Sequence, residues 1–283
     1  MIDTSSPQFQ NALEKARTQW LKQLLIDFLP QLIPLSSSKQ DIEKAKQFDA
    51  AIKDRFVERN LISPSQQKNR ITDVRNAIKV FDSQHPSLDI IGLSSEQWID
   101  INSQAASNTT NRPTQFLDRP DAIAQTALDL LKSDKWSDIA AALAVVTGRR
   151  ISEVLKTARF ELVSTYSVMF VGAAKRRQES LPLQFEIPTL VEASLVIDAI
   201  ARLRSLLDTQ GLTNRQINDK YEQIVARTCD RHFRDLVPTR DGKSNLYSHL
   251  FRAVYATIAS HWFCPPSVSD LEFRAYRTHL RSN

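Results

Sequence analysis

Glycine is scarce in this sequence, five among 283 residues. That leaves little material for glycine-rich loops that cradle phosphates, and no Gly-x-x-x-x-Gly-Lys-Ser/Thr run is present. It also suits a helix-rich chain, because glycine is costly inside regular structure. Cysteine is scarcer still. Cys229 and Cys264 supply neither a disulfide framework nor zinc spacing. His261 and Cys264 stand at i,i+3 with His232 as a remote third group, which is not a proper ligand set. No paired acidic motif suits a two-metal nuclease. No metal and no cofactor are therefore expected. Long apolar runs are absent too: Leu21–Leu35 is broken by Lys22, Gln23, Asp27 and Pro30 and does not read as a membrane span. Met1–Gln10 lacks the basic-then-apolar plan of a signal peptide. The expectation is a soluble protein of a reducing cytoplasm with no membrane partner.

What is present is a mildly basic chain, with net charge +5 and a sequence pI of about 9.2. That balance permits nucleic-acid binding without establishing it. The distribution says more, with basic residues clustered at Arg149-Arg150, Lys175-Arg176-Arg177 and Arg274-Ala275-Tyr276-Arg277.

The first hundred residues carry helical periodicity. Trp20, Leu21, Leu24, Leu25, Phe28 and Leu32 repeat at helical spacing and stop near Pro34. Ile42, Phe48, Ile52 and Phe56 stripe a second helix over Ser38–Asn60, and Ile71, Val74, Ile78 and Phe81 a third over Pro64–Phe81. A polar stretch from Asn102 onward predicts a linker, placed at 105–118, between a helical domain over 1–104 and a second domain over 119–283. Beyond it, helices are expected from about Asp118 to Ser133 and from Trp136 to Thr147, with Gly148 ending the latter. Phe160–Val163, Tyr166–Val171 and Leu181–Phe185 read as short strands of a small sheet. Helices return at about 189–209, 213–233, 245–262 and 267–280. The fold class is mainly α with a small β-sheet or hairpin.

The sharpest local signal is Thr147-Gly148-Arg149-Arg150-Ile151-Ser152-Glu153-Val154-Leu155. It resembles the first arginine box of tyrosine recombinases, with Arg150 in the arginine position and Glu153 in the acidic one. Lys175 follows 25 residues later between two expected strands, where that family carries a lysine on a β-hairpin. His249-Leu250-Phe251-Arg252 resembles the family's His-x-x-Arg box, and Leu246, Leu250, Val254 and Ile258 can anchor its helix. This ordered set is similar to tyrosine recombinases, and the extended helical first half makes the chain most similar to the telomere resolvases among them.

The resemblance implies a catalytic domain of that type preceded by a helical DNA clamp. It implies metal-free cleavage and rejoining of double-stranded, palindromic DNA by a homodimer, producing covalently closed hairpin ends. Arg150 and Arg252 would clamp the nonbridging oxygens of the phosphorane. His249 would hydrogen-bond the phosphate or move a proton, and Lys175 would protonate the departing 5′ oxygen. Arg149, Arg176 and Arg177 would contact DNA. A prokaryotic, phage or plasmid origin is implied as well.

The family's nucleophile is a tyrosine lying some ten residues past a third box. His279, 27 residues after Arg252, is the candidate for that box, although Thr278 stands where glycine is usual. The tyrosine would then fall past Asn283, so the chain is expected to stop before its nucleophile. Tyr255 lies one turn after Arg252, too near by the family plan, and Tyr276 is a poor substitute. Three other readings stay open: an integrase acting on two duplexes, a DNA-binding protein of this scaffold without activity, and a helical interaction protein unrelated to DNA.

Overall fold

The structure, a computed structural model, describes residues 3–110, 116–173, 184–239 and 244–276. Its contacts divide the chain into two units, Met1–Arg112 and Pro113–Asn283.

The first unit is helical: α1 (Pro7–Glu14), α2 (Gln19–Leu32), α3 (Lys39–Glu58), α4 (Pro64–Lys79) and α5 (Ser95–Thr110). Short polar residues set the starts. The Ser38 hydroxyl accepts from the Asp41 N–H at 3.2 Å. Ser63 and Gln66 form a reciprocal capping box, with Pro64 in the first turn where its missing N–H costs nothing. The predicted stripes converge: Leu21, Leu25, Leu32, Ile52, Phe56, Ile71 and Ile78 are all buried in one core.

The run expected as a linker is helical through Thr110. The cause lies upstream, where Ser94 and Gln97 cap the start of α5 by exchanging hydrogen bonds of 3.2 and 2.9 Å. Once nucleated, the helix meets no proline before Pro113, and Gln104, Ala105 and Ala106 are good helix formers in its path.

In the second unit, α6 (Pro120–Leu131) leads to α7 (Trp136–Thr147). Every residue of α7 from Asp138 to Thr147 is buried. A helix apolar all round must be enclosed on every side, and α7 packs against α6, α8 (Ala193–Leu206), α10 (Gln223–Phe233) and α11 (Leu250–Phe263). Gly148 ends α7 in the left-handed conformation, φ 65°. A π-turned segment, Glu153–Thr157, follows. Next comes an antiparallel sheet in the order β1 (Arg159–Ser164), β2 (Ser167–Val171), β3 (Gln184–Pro188), with Val171 opposite Gln184. The short α9 (Asn214–Ile217) runs into α10 through a second π-turned stretch, and α12 (Asp270–Tyr276) follows α11. The helix expected from 245 starts at Leu250, because residues 244–249 form bends and turns. Among the described residues no helix is long and apolar enough to cross a membrane.

Candidate active site

The centre of the site is the turn between α7 and the π-turned segment. Thr147 bonds its hydroxyl back to the Leu143 carbonyl at 2.5 Å, and Gly148 then reverses the chain. A Cβ at Gly148 would stand 2.1 Å from the Tyr255 ring, so α11 crosses this turn at a distance that only glycine allows.

Arg150 and Glu153 close the turn on itself. The Glu153 carboxylate accepts the Arg150 backbone N–H at 2.9 Å and its guanidinium at 2.8 Å. Glu153 is buried, with 1% of its side chain exposed, whereas Arg150 keeps 31%. The carboxylate thus orients a guanidinium that still reaches solvent.

Arg252 enters from the first turn of α11 and donates to the Gly148 carbonyl at 2.7 Å. That bond joins the two arginine boxes. Burial, then the charges of Arg149 and Arg150, pushes the Arg252 guanidinium down to about 9, against the opposing influence of Glu153 and Tyr255. Three guanidiniums are thus held on one turn, Arg149 on the Thr147 carbonyl, Arg252 on that of Gly148 and Arg150 on Glu153, an arrangement that an incoming anion relieves.

Arg149, expected as a DNA contact, lies inside the protein with 3% exposure. Its guanidinium sits 5.0 Å from the Phe170 ring and 5.4 Å from that of Phe185, and its Nε donates to the Thr147 carbonyl at 3.2 Å. Its flat, weakly hydrated guanidinium suits aromatic faces, which sequence adjacency to Arg150 does not reveal. Burial holds its pKa below the usual arginine range.

His249 is exposed and occupies the position just before α11, one turn from Arg252. Lys175, Arg176, Arg177 and His279 lie outside the described residues. Tyr255 is wholly buried and donates its phenol to the Pro188 carbonyl at 2.7 Å, and burial pushes that phenol well above the usual tyrosine value. It ties α11 to the end of β3 and is in no position to attack a phosphate.

Sequence reasoning passed over Arg204 and Thr209, which hold the far end of the π-turned segment. Arg204 donates to the carbonyls of Val154, Lys156 and Ala158, and the Thr209 hydroxyl to that of Leu155. No local pattern announces them, since their partners lie some fifty residues earlier. Among the described residues no group of three His, Cys, Asp or Glu side chains is placed to hold a metal ion.

Comparison with known proteins bears on this geometry. The model of the telomere resolvase ResT/TelK catalytic domain matches residues 117–278. The protelomerase of Klebsiella oxytoca phage phiKO2 is 29% identical over 147 residues, covering 48% of this chain and 22% of that protein. The protelomerase of Escherichia phage N15 is 29% identical over 148 residues, 49% of this chain and 23% of that protein. The match thus spans about a fifth of the length of these curated relatives. Among solved structures, a variant of protelomerase TelA covalently complexed with substrate DNA superposes with a TM-score of 0.81 at 23% identity, over 97% of this chain and 91% of that one. Protelomerase TelK complexed with substrate DNA gives 0.56 at 20% identity, over 97% and 57%. These superpositions speak to the fold. The family model covers more than half of the sequence and both arginine boxes, and the chain belongs to the family of telomere resolvase ResT/TelK catalytic domains.

Proposed function

We propose that this chain binds duplex DNA and supplies the phosphate-binding centre of a metal-free cleavage and rejoining reaction that makes covalently closed hairpin ends. The observation that carries the reading is the convergence of Arg150 and Arg252 on one turn, Arg150 held by Glu153 and Arg252 by the Gly148 carbonyl. Arg150 and Arg252 bind the nonbridging oxygens of the scissile phosphate, where planar forks of donors stabilise the charge gained in the phosphorane. Arg149 adds positive potential from behind. His249, at the mouth of α11, hydrogen-bonds the phosphate or moves a proton. Lys175 serves as general acid toward the 5′ oxygen, His279 stands in the third box, and Arg176 and Arg177 contact the backbone. The helical residues 1–104 act as the clamp, 105–118 as the connection and 119–283 as the catalytic unit. The substrate is a palindrome bound by a homodimer, in the cytoplasm of a prokaryotic cell that carries a phage- or plasmid-borne linear replicon.

The test begins with selection of bound duplexes from a random palindromic library, followed by denaturing gels of the selected site. Expected are binding that weakens steeply with salt and strands of doubled length diagnostic of hairpins. Recombinants from two sites would select the integrase reading. No selected duplex, or binding indifferent to salt, overturns the proposal.

A second reading has its own observation. Tyr255, the tyrosine beside the cluster, is sealed in the core by its bond to Pro188. A scaffold that binds DNA without attacking it is compatible with that, and specific binding with neither nick nor covalent adduct selects it.

A further inference from the structure

The carbonyls at the C-terminal end of a helix have no partners within it and must find donors elsewhere. The segment Glu153–Thr157 ends against β1, and its carbonyls are met from one direction, the end of α8 and the loop after it. The Arg204 guanidinium takes those of Val154 at 2.9 Å, Ala158 at 3.3 Å and Lys156. Thr209 takes that of Leu155 at 2.8 Å. Lys156 reciprocates by donating its ammonium to the Leu212 carbonyl.

This arrangement is costly to build. The Nε of Arg204 is buried without an acceptor among the described residues, and burial together with the charge of Arg159 disfavours its charged form. A lysine would place one point charge there, whereas a planar fork spans several carbonyls at once. The segment it grips is wound in π fashion, with the Ala158 N–H reaching the Glu153 carbonyl at 2.7 Å. Such turns are rare and persist where the surroundings impose them. Glu153 is the first residue of that segment and the one that orients Arg150. One side chain on α8 therefore grips the segment whose first residue, Glu153, holds the Arg150 guanidinium.

We propose that Arg204 is a positioning residue for Arg150: by ligating the carbonyls at the far end of the π-turned segment it fixes Glu153, and through Glu153 the direction of the phosphate-binding guanidinium. The proposal rests on the reading of Arg150 as a phosphate ligand, and its test separates the two.

Hydrogen exchange at the Arg150 backbone N–H, which donates to the Glu153 carboxylate at 2.9 Å, reports the Glu153 clamp without DNA when followed by NMR. In Arg204→Met the exchange is expected to quicken about tenfold or more. Arg202→Met, on the same helix with its guanidinium on the Leu131 carbonyl, should leave it unchanged. Arg204→Lys, which keeps the charge and fewer bonds, should fall between and serves if the methionine variant fails to fold. On the selected duplex, Arg204→Met and Arg150→Ala should each lose affinity, and the double variant should lose little beyond Arg150→Ala alone. Unchanged Arg150 exchange in a folded Arg204 variant overturns the proposal, as do fully additive losses. If Arg150→Ala binds DNA as the parent does, the phosphate-ligand reading falls, while the exchange result still decides whether Arg204 positions Arg150.

Discussion

The Arg252 guanidinium reaches across 104 residues of sequence to the Gly148 carbonyl at 2.7 Å. The bond fastens the start of α11 to the turn that aims Arg150, so two arginines from distant sequence share one small volume. It also requires that turn to lie against α11 with no side chain between them, which explains the glycine.

Gly148→Ala is therefore expected to damage both stability and site. Alanine meets a left-handed φ of 65° and a ring 2.1 Å from its Cβ. The conformational term is about 1–2 kcal/mol and the overpacking about 1–3 kcal/mol, giving a loss of about 2–5 kcal/mol in urea denaturation. DNA affinity of the folded fraction should fall with it, because relief of the clash moves Tyr255 and with it the helix that carries Arg252.

Glu153→Gln removes the carboxylate from among three guanidiniums. Stability in chloride buffer should fall by about 1–3 kcal/mol, less than for a wholly buried pair because Arg150 is partly solvated. The anion attraction of the site should rise at the same time. Inorganic phosphate at fixed ionic strength should then raise the melting temperature of the variant more than that of the parent. An equal rise in both proteins would mean that Glu153 does not balance this cluster.

Local and long-range determinants divide cleanly in this molecule. Ser38, Ser63-Pro64 and the apolar stripes of α2 to α4 act within a turn or two, so these helices were legible, as was the stop at Gly148. The arginine boxes were legible for the same reason, each being a short pattern in one stretch. Arg149 and Arg150 look alike in the sequence and end in opposite surroundings. What separates them is the pair of rings from β2 and β3, Phe170 and Phe185, delivered by sheet pairing. Arg204 was illegible because its acceptors are backbone carbonyls, which every residue possesses. The polar run up to Thr110 shows no helical stripe because its residues are polar all round, and its helix is started by the cap at Ser94 and meets no proline.

Arg252 predicts a pH dependence of DNA affinity. Burial and the neighbouring arginines bring it down to about 9 in the free protein, while a bound phosphate favours its charged form and raises it again. Above about pH 9, binding must take up a proton, so affinity should fall as pH rises, approaching tenfold per unit at constant ionic strength. Arg252→Met should bind more weakly throughout and lose that slope. Stability runs the other way. A basic group depressed by folding is more protonated in the unfolded chain above about pH 9, so its contribution to stability rises with pH there and is lost as pH falls through 9. Anisotropy titrations and urea melts from pH 7 to 10 check the two signs separately.

Tyr255→Phe isolates the tyrosine that lies beside the cluster. The phenol donates to the Pro188 carbonyl in a dry environment, and its removal leaves that acceptor unpaired. The expected loss is about 1–3 kcal/mol of stability, without the cavity that a smaller residue would leave. DNA affinity and any hairpin formation should persist, because the ring still packs against Gly148 and the hydroxyl faces Pro188 rather than a phosphate. Abolition of covalent adducts in a folded, DNA-binding Tyr255→Phe protein would contradict this and make the buried phenol the attacking group. Such a result would require α11 to detach from the Gly148 turn during the reaction, breaking the Arg252 bond.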